Sequence, residues 1–171
     1  MPVAAAHLLK FATLSAEAYH PMNAPVTIRA LKAADFDTWL PLWRGYQKFY
    51  ETEIPADVTR ITWERMLDGH EPVFGALAFS GERAVGMVHW LYHRTCWTIG
   101  NNCYLQDLFV APEQRGSGIG RKLIEHVYAA ARIAGCAKVY WLTHETNKNA
   151  MLLYDRIAAR TGFVHYEKIL D

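Results

Sequence analysis

The sequence predicts a single α/β domain built on a mixed, mostly antiparallel sheet with helices on both faces. Three observations support this prediction. The chain has 171 residues, which is enough for one domain with a sizeable core. Its composition is 51% hydrophobic and 20% charged, which excludes a disordered chain. Short segments in which apolar and polar residues alternate, as in strands, are interspersed with segments in which apolar residues recur at helical spacing.

Charge, apolar runs and cysteines exclude several classes of protein. Lys plus Arg is 18 and Asp plus Glu is 17, so the net charge of +1 lacks the basic excess of a nucleic-acid binder. No apolar run approaches the ~20 residues that span a bilayer. Three cysteines, Cys96, Cys103 and Cys136, are too few for a disulfide scaffold. We therefore expect a cytoplasmic protein with neither a nucleic-acid nor a membrane partner.

The first 23 residues differ from the rest of the chain. They have no cationic region of the kind that opens a secretory signal, and no arginine precedes Arg29, as a transit peptide would require. We expect residues 1–23 to be an extension of unknown role and residues 24–171 to form the domain.

Spacing and turn residues justify the elements of the first half of the domain. Residues 26–31 alternate apolar and polar side chains and predict a strand. Apolar and aromatic residues recur at three and four residues over 35–50, which predicts a helix with a broad aromatic stripe. A second helix is predicted over 56–67, because Gly69 follows it as a C-terminal glycine.

The second half continues with a hairpin, a glycine-rich loop and further alternation. Residues 72–79 and 84–94 predict two strands, which the turn Ser80-Gly81-Glu82 joins. A strand over 103–110 then leads into the glycine-rich loop. The remaining predicted elements are a helix over 119–134, a strand over 138–143, a helix over 147–159 and a strand over 162–170.

The glycine-rich loop is the strongest chemical signal in the sequence. Arg115-x-x-Gly118-x-Gly120 lies between a strand and a helix, where unpaired amides and the helix dipole favour phosphate. A tight strand-to-helix connection with a helix cap at Ser117 is the alternative. Neither a P-loop nor a dinucleotide-binding fingerprint fits, because position 121 is arginine.

Residues 107–120 resemble the acetyl-CoA-binding motif of the GNAT N-acetyltransferase superfamily, Arg/Gln-x-x-Gly-x-Gly/Ala. They read Asp-Leu-Phe-Val-Ala-Pro-Glu-Gln-Arg-Gly-Ser-Gly-Ile-Gly. Downstream, Asn147-x-x-Ala150-x-x-Leu153-Tyr154 followed by Gly162-Phe163 resembles the second motif of that superfamily. The resemblance covers most of the chain and implies a GNAT-like sheet of six to seven strands. Residues 140–147 resemble a microbial subgroup related to yeast histone acetyltransferases.

The resemblance implies acetyl-CoA as the cofactor and assigns residues to it. The loop would hold the pyrophosphate, the strand before it would pair through its backbone with the pantetheine arm, and the helix after residue 147 would contact the arm. The implied cofactor-binding residues are Leu108, Phe109, Val110, Arg115, Gly116, Ser117, Gly118, Ile119, Gly120, Arg121, Asn147 and Ala150. An amide near Leu108 would polarise the thioester carbonyl.

Tyr154 is the implied donor to the leaving thiolate. Spacing alone puts Asn147, Ala150 and Tyr154 on one helix face, because they lie three and seven residues apart. Transfer of a proton from an ordinary tyrosine to a thiolate is uphill by about 2 kcal/mol, so a hydrogen bond and full protonation both remain open. Residues 155–161 separate Tyr154 from Gly162 by more than in many members, which indicates a longer helix or an inserted loop.

The acceptor amine needs a base, because a lysine-like amine is almost wholly protonated at pH 7. Many relatives carry a glutamate where this sequence has Gln106. The candidate bases are Asp107, His89, His144 and Glu145, of which we assign Asp107 as catalytic. The implied acceptor site comprises Tyr46, Tyr50, Glu51, Glu53, His89 and His144. His89, His93, Cys96 and Cys103 match no zinc spacing, so we expect no metal.

The sequence therefore predicts an N-acetyltransferase that acts by direct attack in a ternary complex. The acceptor would be a small amine, an amino acid or a lysine side chain, and dimers are frequent among similar proteins. The alternative from another class is a non-catalytic acyl-CoA sensor, which Gln106 keeps open. A third possibility is an anion-binding regulator that takes another nucleotide.

Overall fold

A computed structural model of the protein describes residues 25–170. The predicted extension over residues 1–23 lies outside the described residues. The helices and strands, in chain order, are β1 (Val26–Ala30), α1 (Phe36–Phe49), α2 (Ala56–Leu67), β2 (Val73–Ser80), β3 (Arg83–His93), β4 (Asn102–Val110), α3 (Ile119–Ile133), β5 (Lys138–Tyr140) and α4 (Lys148–Ile157). Single 3₁₀ turns precede α1 and follow β4. All four predicted helices form where the spacing placed them.

The strands form one sheet in the order β1-β2-β3-β4-β5. All neighbours are antiparallel except β4 and β5, which are parallel. The mixed, mostly antiparallel sheet is therefore confirmed, but the predicted count of six to seven strands is too high for the part of the chain described. Residues 162–170 form no strand and are exposed, with Phe163 at 93% and Tyr166 at 89%. Their β-forming composition is not enough, because a strand also needs a neighbouring strand to pair with, and residues 162–170 pair with none of β1 to β5.

Helices cover both faces of the sheet, as predicted. The tryptophans of α1 and α2, Trp39, Trp43 and Trp63, pack with Met87 and Phe109 on one face. Side chains of α3 pack on the other face with the apolar residues of β2, β3 and β4, and α4 lies against the same cluster. The predicted aromatic stripe of α1 is thus largely core.

A β-bulge in β4 controls which side chains reach each face. His89 lies opposite Asp107 whereas Trp90 lies opposite Leu105, so Gln106 is an extra residue on β4. One extra residue reverses the alternation of the strand. Leu105 consequently packs toward α3, whereas Asp107 turns toward α1, where it meets His89.

Candidate functional site

The glycine loop leaves a row of backbone donors without protein partners. Gly116 and Gly118 have φ values of 79° and 83°, which favour glycine, and α3 begins directly after Gly118. The amide of Arg115 bonds to the Pro112 carbonyl at 3.3 Å. Within residues 25–170, the amides of residues 116–121 donate to no protein atom, which fits a bound diphosphate.

The cationic side chains of this loop make contacts of their own. Arg115 donates from Nε to the Val110 carbonyl at 3.1 Å, and its guanidinium lies 5.4 Å from the Phe49 ring centre. Arg121 pairs with Glu125 at 2.7 Å on the exposed face of α3. The hydroxyl of Ser117 donates to the Gln114 carbonyl at 2.6 Å, so it does not cap the helix. The backbone, more than these side chains, is therefore available to an anion.

Beyond the loop, β4 and β5 separate and leave a free strand edge. Their pairing ends at Tyr104 and Tyr140. The Ala111 amide bonds to β3 at Val85 with a distance of 2.9 Å. Because successive residues of a strand direct their amides to opposite edges, Leu108 and Val110 direct theirs toward the gap. The side chain of Phe109 is buried against α1.

Gly120 shows that the loop, β4 and α4 meet at this gap. A Cβ placed on it would lie 3.8 Å from Leu153 of α4 and 3.9 Å from Leu108 and Val110 of β4. The predicted cofactor segments are thus brought together. On α4, Ala150 is partly exposed, and the Asn147 side chain donates to Thr143 Oγ1 at 3.1 Å.

Tyr154 stands on α4 in contact with Trp141, the residue that follows β5. Its ring lies edge-on to Trp141 at 5.3 Å, and it is partly buried against the α3 core. Burial raises the pKa of Tyr154 to about 12, and the nearby Tyr50 contributes in the same direction. The phenol therefore stays protonated and available as a donor at any ordinary pH.

A cavity of about 570 Å³ opens between the end of α1 and the loop before α4. Three predicted acceptor residues line it, namely Tyr50, Glu51 and His144, together with Asn147 from the predicted cofactor set. Lys148, which sequence analysis did not assign, also lines it and supplies a positive charge. Glu53 is exposed and is not among the lining residues.

The other predicted residues gather behind this cavity around Asp107, which is buried. His89 Nδ1 lies 3.0 Å from Asp107 Oδ2, and Trp39 donates to His89 Nε2 at 2.8 Å. Burial first, and then the charge of Asp107, raise the pKa of Tyr46 and of Tyr50. His89 is only 3% exposed, so it contacts Asp107 and not the open cavity.

Two further observations concern metals and membranes. In residues 25–170, no three His, Cys, Asp or Glu side chains come together as metal ligands would. None of the helices described combines the length and the apolar character that a bilayer crossing demands.

Free amides at a helix start and an open strand edge beside them fit the diphosphate and the pantetheine arm of coenzyme A, the acyl carrier of one class of acyltransferase. The profile of the acetyltransferase (GNAT) family matches residues 36–158. The chain belongs to this family. It is an N-acetyltransferase that uses acetyl-CoA and transfers the acetyl group to an amine.

Named relatives and solved structures agree with this family. The chain is 38% identical to the D-amino-acid N-acetyltransferase HPA3 of Saccharomyces cerevisiae, over 86% of this chain and 92% of that one. It is 38% identical to a thialysine N-epsilon-acetyltransferase of Bos taurus, over 79% and 84% of the two chains. The structure of AAC(6')-Iy with the bisubstrate analogue CoA-S-monomethyl-acetylneamine has a TM-score of 0.72 at 19% identity, covering 86% and 99% of the two chains.

These findings refine two predictions. The resemblance to a subgroup related to histone acetyltransferases is not confirmed, because the yeast relative is named a D-amino-acid N-acetyltransferase. The non-catalytic sensor is not favoured, since these relatives are named as enzymes.

Proposed function

We propose that the acceptor is a small zwitterionic amine, an amino acid or a close analogue, bound in the cavity between α1 and α4. The observation that carries this proposal is the charge of the lining, which places Glu51 on one side and Lys148 on the other. An amino acid offers an ammonium to the glutamate and a carboxylate to the lysine. The names of the yeast and bovine relatives support an acceptor of this size.

Glu51 supports the proposal because local structure disfavours it. The Thr52 amide bonds to the Gln47 carbonyl at 3.0 Å and the Glu51 amide to the Lys48 carbonyl at 3.2 Å, which is a Schellman motif. Glu51 occupies its left-handed position with φ 53°, where glycine is preferred. A negative charge at a helix C-terminus is also unfavourable. A residue held against both preferences and facing a cavity is a candidate for function.

The proposed binding site for acetyl-CoA consists mainly of the backbone groups that have no protein partner. In this proposal, the amides of residues 116–120 bind the diphosphate of acetyl-CoA, and Arg121 adds positive charge at the start of α3. The free edge over residues 108–110 pairs with the pantetheine arm, and Asn147 and Ala150 bound that arm from α4. The Leu108 amide donates to the thioester oxygen as negative charge develops there.

Tyr154 acts in this proposal as a hydrogen-bond donor to the departing sulfur. Its pKa of about 12 lies above the ordinary thiol pKa of about 8.5. Complete proton transfer would then cost about 5 kcal/mol. A hydrogen bond that strengthens as charge develops on the sulfur avoids that cost.

An acceptor panel tests the function. Purified protein with acetyl-CoA would be assayed for thiol release with D- and L-amino acids, with simple alkylamines lacking a carboxylate, and with a lysine-containing peptide. We expect kcat/KM to be highest for amino acids. A peptide or an alkylamine that is acetylated more efficiently than every amino acid would overturn the proposed acceptor class.

We also propose that residues 162–170 pair with a second copy of the chain. Their apolar side chains are exposed, and β5 is the last strand of the sheet, so its outer edge is open in the part of the chain described. In a twofold-symmetric dimer, residues 162–170 of each copy would pair with the open edge of β5 in the other copy. Light scattering should give a dimer for the full chain and a monomer for a chain that stops at Thr161. Equal oligomeric states would contradict this pairing.

A further inference from the structure

We propose that Tyr46 and Asp107 form a proton relay for the acceptor, with His89 and Trp39 as positioning residues. In this relay the Tyr46 hydroxyl takes a proton from the acceptor's ammonium and passes its own to the Asp107 carboxylate. The inference rests on the proposed function for the identity of the acceptor. It explains how the acceptor amine can lose a proton although β4 carries Gln106 where a glutamate base was expected.

The bulge at Gln106 builds the relay. Without the extra residue, Asp107 would face α3 together with Leu105. With it, Asp107 faces α1 directly opposite His89 of β3, and Gln106 is left exposed. The bulge thus moves a carboxylate to the face that carries Tyr46, at the cost of one ladder position.

The hydrogen bond from Trp39 determines which ring nitrogen of His89 carries the proton. An indole N–H can only donate, so His89 Nε2, at 2.8 Å, must accept. The proton of the neutral imidazole therefore lies on Nδ1, which donates to Asp107 Oδ2 at 3.0 Å. Trp39 is fully buried, so its hydrogen bond to His89 lies away from solvent. His89 holds Asp107 in place but is not an exit for a proton.

Burial makes Tyr46 the link between Asp107 and the cavity. Asp107 is 7% exposed, which is too little for an amine with its substituents to reach it. Tyr46 is only half-buried, and its ring contacts Tyr50, a lining residue, at 5.0 Å. On its other side the Tyr46 ring stacks on Trp43 at 5.5 Å, and Trp43 lies 5.3 Å from His89, which places Tyr46 next to the His89–Asp107 pair. Burial first, and then the charge of Asp107, raise the pKa of Tyr46, so its hydroxyl carries a proton at neutral pH.

The proton count closes over one turnover. The acceptor's ammonium loses one proton, which ends on Asp107, and the neutral amine then attacks the thioester. The C–N bond forms and the C–S bond breaks, and the second nitrogen proton balances the thiolate as free thiol. Asp107 returns its proton to solvent by the same path through Tyr46. The titratable groups around Asp107 are Tyr46 from α1, Tyr50 directly after α1, His89 from β3 and Tyr104 from β4.

The dependence of activity on the pKa of the acceptor amine distinguishes a proton relay from a purely structural role of Asp107. Asp107→Asn keeps the shape of the side chain and an oxygen that accepts from His89, but it cannot take a proton. With an acceptor amine of pKa near 10, we expect kcat/KM at pH 7 to fall about 100-fold. With an acceptor of pKa near 7, which is already half neutral, the loss should shrink to a few-fold. Tyr46→Phe should show the same dependence.

Two controls separate the possible failures. Tyr92→Phe removes a hydroxyl from β3 on the α3 face and should show no dependence on acceptor pKa. His89→Asn retains a donor near the position of Nδ1, so it should lose less activity than His89→Leu. Calorimetric CoA affinity reports whether each variant keeps its donor site.

The possible outcomes discriminate between the relay and the acceptor class. The two amines are chosen from those that the wild-type protein acetylates, so an unexpected acceptor class sinks the proposed function but still tests the relay. A loss in Asp107→Asn that is the same for both amines, with CoA affinity intact, would refute the relay. Equal losses in His89→Asn and His89→Leu would refute the positioning role.

Discussion

Replacing Glu51 with glycine should make the protein more stable while weakening its binding of zwitterionic acceptors. Release of a non-glycine residue from φ 53° gains about 1–2 kcal/mol. Removal of an exposed negative charge from the end of α1 adds about 0.3 kcal/mol. The greater conformational freedom of glycine in the unfolded chain lowers the free energy of unfolding by about 0.5–1 kcal/mol. The net gain of about 1 kcal/mol corresponds to a rise in Tm of about 2–4 °C.

The kinetic half of this prediction concerns the ammonium of the acceptor. Loss of a charge-assisted hydrogen bond costs about 1.5 kcal/mol, so the KM for an amino acid should rise roughly tenfold. Glu51→Gln should raise KM similarly but gain only the ~0.3 kcal/mol from removing the charge, because it keeps a side chain at the strained φ. Both quantities come from thermal unfolding and initial rates on the same preparations.

Glu53→Gly is the matched control for this experiment. Glu53 is exposed two residues further on and does not adopt a positive φ, so its replacement should lower Tm slightly and leave KM unchanged. A fall in Tm for Glu51→Gly would refute the argument from strain. A higher Tm with an unchanged KM would confirm the strain but remove Glu51 from the acceptor site.

Three further predictions test the loop, Tyr154 and the α1 entrance. Gly118→Trp should abolish CoA binding in calorimetry with the fold retained, whereas Gly81→Trp, at another positive-φ glycine with open space, should bind normally; equal affinities would contradict the loop assignment. Tyr154→Phe should lower kcat more than acceptor KM, and unchanged turnover would remove the phenol from the mechanism. Asp35→Asn should cost about 2 kcal/mol in urea unfolding at pH 7, because Asp35 accepts from Arg29 at 2.6 and 2.8 Å. Since that pairing lowers the pKa of Asp35, its stabilisation is complete above the ordinary value of 3.8 and is lost as pH falls through the lower pKa of the folded state; a difference from Asp35→Asn that is as large at pH 3 as at pH 7 would contradict this.

Helix positions and the glycine loop could be predicted from sequence because their signals are local. The predicted helix over 56–67 has the bounds of α2, and the loop lies at the start of α3 as its glycines indicated. The strand over 162–170 was wrong because β propensity does not supply a partner edge. The bulge at Gln106 has no local signal, since it depends on how β3 pairs with β4.

Missed site residues have the same origin. Lys148 reads as an exposed residue of the first turn of α4, and only the approach of α4 to the end of α1 turns it into a cavity wall. Trp39 reads as core, and it is core. Its indole N–H acquires a second role because the register of β3 places His89 against it. A side chain's chemistry in such cases is set by contacts distant in the chain, which spacing does not report.

The absence of a glutamate at position 106 therefore does not mean that the site lacks a carboxylate. As the extra residue of a bulge, Gln106 is exposed and has no partner residue on β3. The same bulge brings the next residue, Asp107, onto the α1 face, where its Oδ2 lies 3.0 Å from His89 Nδ1. A carboxylate is thus present behind the acceptor cavity, displaced by one position from where the sequence resemblance led us to expect it. If the relay through Tyr46 operates, the substitution at Gln106 and the bulge around it are two aspects of one arrangement.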